Sequence, residues 1–121
     1  MDAAEIARQM PVWLAMGELF LDTELDAADH GRIRRVLAES GYDEAVLHEI
    51  LRREVTPGFG PNLFAVAGAW GCRNEEDARR LLRPVIAGTG FGWMGWLVWR
   101  LLRREVEADW RRINPFGVAA S

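Results

Sequence analysis

Five carboxylates fall within twelve residues of this chain, at Glu18, Asp22, Glu24, Asp26 and Asp29, with no arginine between Arg8 and Arg32. Oxygen-rich clusters of this kind suit hard cations. An EF-hand loop, however, needs glycine at its sixth position and glutamate at its twelfth. Counted from Asp22 these positions hold Ala27 and Ile33, so that loop is excluded. Asp26 and Asp29 also suit a helix start, as cap and as dipole partner. Two functional alternatives stay open. One is a metal-dependent or enzymatic module built on Asp22, Glu24 and Asp26; the other is an acidic surface that attracts a basic partner.

Other reactive types are sparse. Cys72, His30 and His48 carry no local nucleophile signature. His48 borders the apolar stripe of its helix and reads as a packed or half-exposed side chain. There is no HExxH, no paired CxxC and no phosphate loop. The expectation is a protein that is no enzyme, with neither cofactor nor metal.

The stretch "GTGFGWMGWLVW" (88–99) needs separate treatment. Gly90, Gly92 and Gly95 match the GxGxxG spacing of dinucleotide sites. That motif works inside a βαβ unit, where a second strand must follow the helix. Here the helix runs on through "RLLRREVEADWRRI" and no strand follows, so nucleotide binding is set aside. Val85 to Trp99 is uncharged, but fifteen helical residues reach only about 22 Å against a hydrocarbon core of ~30 Å. No membrane span is expected. Close helix packing is the remaining explanation.

The elements that must position these residues have helical spacing nearly throughout. Ile6, Met10, Trp13, Gly17, Phe20 and Leu21 share one face, and Pro11 is expected to divide that run into two helices. Thr23 or Asp26 caps the next helix, whose stripe is Ile33, Val36 and Leu37, with Gly41 as its stop. A helix from Asp43 buries Val46, Leu47, Ile50, Leu51 and Val55. "TPGFGP" (56–61) reads as the clearest break in the chain. "PNLFAVAGAW" (61–70) is a short helix, "GCRN" a turn, and Asn74 the cap of "EEDARRLLRPVIA", which Pro84 kinks or ends. The last helix spans about Gly92 to Ile113 and stops at Asn114-Pro115.

Projected at about 100° per residue, that helix places Val98, Trp99, Leu102, Val106, Trp110 and Ile113 on one face. Arg100, Arg103, Arg104, Glu107 and Arg111 lie on the other, toward which Trp93 and Trp96 also project. Those two indoles are either enclosed by the domain or offered to a partner; enclosure of at least one is expected, because large aromatics usually fill cores. Trp99 and Trp110 are expected in the core.

Composition narrows the classes further. With 121 residues, half of them hydrophobic, one domain over residues 1–121 can bury an adequate core. Every basic residue is arginine, and the net charge of −3 argues against a nucleic-acid binder acting by bulk electrostatics. Residues 1–54 hold twelve acids against six arginines, whereas 55–121 hold six acids against nine. Such polarity can orient a partner. A lone cysteine and acidic residues at positions 2 and 5 point to a cytoplasmic protein. The fold class that follows is an all-α, single-domain compact bundle of about five to six helices, with a long Trp/Arg-rich C-terminal helix.

Two segments carry a likeness. "LAMGELFLDTEL" (14–25) and "ILRREVTPGFGPNLFAVAGAW" (50–70) resemble a family of small uncharacterised bacterial helical proteins with LFLDTEL and EVxP…NL…AGxW segments. In the second pattern the matching residues are Glu54, Val55, Pro57, Asn62, Leu63, Ala67, Gly68 and Trp70. The resemblance implies a helical domain and transfers no activity. It draws notice to Asp22, Thr23 and Glu24, which would cap helices, pair with Arg52 or Arg53, or bind a ligand. The function expected is a non-enzymatic protein-interaction module. Its most concrete version is an immunity-type inhibitor that meets a basic bacterial toxin through Glu18, Asp22, Glu24, Asp26 and Asp29. Trp93 and Trp96 are the candidate contacts for a partner or for a homodimer.

Overall fold

The computed structural model describes residues 1–20, 24–61 and 74–116, and no strand occurs among them. Helix α1 (Ala3–Gly17) begins at a capping box, in which Asp2 and Glu5 each accept the other's backbone N–H. Pro11 lies inside this helix and does not divide it, contrary to the sequence expectation. Its ring is exposed, while Met10, Val12 and Trp13 around it are buried, so packing on both sides of the missing hydrogen bond holds one helix. A short 3-10 turn (Glu18–Phe20) follows. Helix α2 (Ala27–Glu39) starts at Asp26 and ends before Gly41, whose φ of +83° suits only glycine well.

Helix α3 (Glu44–Ile50) is capped by Asp43 and passes without interruption into a π turn (Leu51–Val55) and then α4 (Thr56–Phe59). The expected break at "TPGFGP" is therefore absent. In the π turn the Thr56 N–H reaches back to the Leu51 carbonyl. The extra residue per turn makes room before Pro57, whose ring would clash with a carbonyl four residues earlier in a regular α-helix. Thr56, Pro57, Gly58, Phe59 and Gly60 are all buried. Leu47, Ile50, Leu51 and Val55 join them in the core, but Val46 is 40% exposed and leaves the predicted stripe.

Helix α5 (Glu75–Leu81) is capped by Asn74. The chain bends at Leu82, and α6 (Arg83–Ile86) carries Pro84 in its first turn, where a missing N–H costs nothing. Helix α7 (Gly92–Ile113) spans 22 residues. It packs chiefly on α4 and α2, with α1 lying against α2 and α5. One core joins these helices: Trp13, Met16, Phe59, Leu82, Leu102, Val106, Trp110 and Ile113 are among its members. No helix among the described residues is long and apolar enough to cross a membrane. The proposed helix 61–70, the turn with Cys72, and Leu21, Asp22, Thr23 and Asn62 lie outside the described residues, apart from Pro61 at the start of that helix.

Candidate interaction surface

The acidic segment is largely satisfied from within. Arg32 grips Glu18 with two hydrogen bonds of 2.7 Å and also reaches Asp29 at 3.4 Å. Asp26 and Asp29 form a reciprocal capping box at the start of α2. The backbone N–H of Asp26 and the nearby Arg32 hold the Asp29 carboxyl below its ordinary value. Glu24 is exposed and borders a shallow cleft with Leu19, Leu25, His30, Asp109 and Arg112. Burial pushes the Asp109 carboxyl up, against the pull of Arg112 and His30. No cluster of three metal-ligating side chains exists among the described residues. Arg52 and Arg53 both turn to Glu49, at 2.6 and 2.7 Å, rather than to Glu24.

His48 is half-exposed as expected. Its Nε2 lies 2.7 Å from Glu107, and its ring packs against Trp99 and Trp110. These contacts tie α3 to α7. Asn114 does the same at the far end, donating to Glu44 at 3.0 Å.

The conspicuous surface is on α7. Its inward face carries Gly95, Leu102, Val106, Trp110 and Ile113, all buried, with Val98 and Trp99 half-buried. Trp99 is thus a border residue and less enclosed than predicted. The outward face carries Trp93, Met94, Leu97 and Leu101, which are 73%, 59%, 40% and 61% exposed. Trp96 is 60% exposed, so neither it nor Trp93 is enclosed. The reason is positional: among the described residues, Pro57 and Gly60 meet the start of α7 at Gly95 and Val98, on the side away from these exposed residues. Next to the apolar ridge runs a cationic strip of Arg100, Arg103 and Arg104. Arg100 lies over the Trp96 ring at 5.3 Å.

Sequence reasoning missed Glu54 as an organising residue. It accepts the indole N–H of the fully buried Trp13 at 2.9 Å, and burial pushes its carboxyl above the ordinary range. Its place in the EVxP segment was the only signal, and the spacing of 41 residues hid the partner.

These features define a helical bundle in which no described element covers the outward face at the start of its long last helix. The chain belongs to a domain family of unknown function, DUF7079, whose model matches residues 7–116. No curated protein and no solved structure matches it.

Proposed function

We propose that this chain is a non-enzymatic protein-interaction module that docks an acidic partner through the outward face of α7. The observation that carries the reading is the exposure of Trp93, Met94, Leu97 and Leu101 on successive turns. Contiguous apolar surface rimmed by charge is what interaction sites present. Arg100, Arg103 and Arg104 make no ion pair among the described residues, so their charge is free to meet acids on a partner. The immunity-type version, with a basic bacterial toxin as partner, would instead rest on Glu24 and Asp22. Glu18, Asp26 and Asp29 already have partners within the fold.

The test compares the native chain with Trp93→Ala and Leu101→Ala as baits in the source cell, followed by affinity measurement on the captured protein. Both substitutions remove exposed atoms, so unfolding free energy should stay within about 0.5 kcal/mol. Binding should weaken by about 2 kcal/mol and should fall with added salt. Equal capture by all three baits would overturn the ridge as the docking site. Concentration-dependent mass of the chain alone, abolished by the same substitutions, would identify the partner as a second copy.

A further inference from the structure

On the other flank of α7 lies a cleft of about 350 Å³, and its walls differ from the ridge except where Trp96 borders both. Gly92, Gly95, Trp96 and Trp99 follow the spacing i, i+3, i+4, i+7, which places them on one strip of the helix. Two absent side chains make the floor and two indoles make the wall. Arg52, Arg53 and Pro57 face them from the π turn and α4, and Gly90 and Phe91 complete the lining.

Gly95 is what allows this arrangement. A Cβ there would come within 2.8 Å of the Phe91 Cβ and 3.4 Å of the Pro57 Cβ. Its absence lets α7 cross Pro57 closely while the larger indoles stand out beside the crossing. The π turn supplies the cations, since Arg52 and Arg53 both belong to it.

The charge of the cleft is unbalanced. Arg52 binds Glu49 through Nε and Nη2, and Arg53 binds the same carboxylate through Nε alone. One carboxylate between two guanidinium groups leaves an excess of one positive charge. The Arg53 side chain is 70% exposed, and no hydrogen bond or ion pair engages its two Nη groups among the described residues. Among the described residues no acidic side chain lines the cleft. A guanidinium fork matches a carboxylate in geometry as well as charge. Flat indole and phenyl walls favour a flat apolar body. The volume is at the lower end for ligand sites, enough for one ring and a short arm.

We infer that the cleft between the π turn and the start of α7 binds an aromatic monocarboxylate, its ring against Trp96 and Trp99 and its carboxylate on Arg53. Such a group could be a free aromatic acid or the C-terminal aromatic residue of a peptide. Calorimetry and tryptophan fluorescence with four probes separate the sources: phenylacetate, its neutral amide, the peptide Gly-Gly-Phe, and that peptide with an amidated C-terminus. Each carboxylate should bind saturably and about tenfold more tightly than its amide. Arg53→Ala, at an exposed position, should leave melting unchanged and abolish that preference. Tighter binding of Gly-Gly-Phe than of phenylacetate would assign the site to chain ends, and the reverse to free acids. Equal binding of acids and amides, no saturable binding of either acid, or an unaltered preference in Arg53→Ala would overturn the inference.

Discussion

Two segments of this chain look alike in sequence and behave as opposites. "TPGFGP" (56–61) and "GTGFGW" (88–93) each place two or more glycines around a phenylalanine. The first is helical and lies in the core; the second is an exposed turn that leads into α7. A Cβ on Gly58 would approach Leu82 Cδ2 at 2.6 Å, and one on Gly60 would meet Leu102 and Val98 at 2.8 Å. Gly88, Gly90 and Gly92 have open space around them, but φ values of +86°, +68° and +61°. The first pair is glycine for lack of room, and the second group for backbone conformation. Composition cannot tell these apart, because both needs select the same residue.

The largest effect that would test the contrast is at Gly58. Alanine there must displace Leu82, fully buried, or the Leu81 carbonyl oxygen 3.2 Å away. The cost should be about 2–3 kcal/mol in urea unfolding, despite the helix preference of alanine. A variant as stable as the native chain would show that Gly58 is not closely packed against Leu81 and Leu82.

A smaller cost, about 1–2 kcal/mol, is expected for Gly88→Ala, where the only penalty is a left-handed backbone. D-alanine sharpens the comparison. Placed at 88 by semisynthesis it should be neutral or stabilising, because it prefers positive φ and narrows the unfolded ensemble. Placed at 58 it should destabilise as L-alanine does or more. Equal responses at the two sites would dissolve the distinction.

The smallest effect concerns pH and Glu54, at the entrance to the buried segment. Burial raises this carboxyl above its ordinary value of 4.5. Between that value and the raised one, the native chain holds more protons than the unfolded chain. Stability contributed here is therefore complete below about pH 4.5 and declines as pH rises through the window. Glu54→Gln keeps an acceptor for the Trp13 indole and should remove that decline, read as the difference between variant and native stability across pH. A difference that stays flat would mean that Glu54 is better hydrated than its burial implies. Asp109, also raised, is common to both chains and cancels.

The membership of the helical class, the helix starts at Asp43 and Asn74, the stop at Gly41 and the limits of α7 follow from the sequence by itself, whereas for the cap of α2 the sequence offered Thr23 beside Asp26. They are local matters, set by apolar spacing and by side chains that reach backbone N–H groups three residues away. What only the tertiary structure decided depends on residues that meet from far apart in the chain. Pro11 and Pro57 fail to break their helices because buried neighbours and a π turn compensate for each ring. Trp13 and Trp96 are the same residue type on helical runs, yet one is sealed by Glu54 and the core while the other stands in solvent. Burial is a property of what arrives opposite a side chain, and in this fold no described element arrives opposite the outer face at the start of α7.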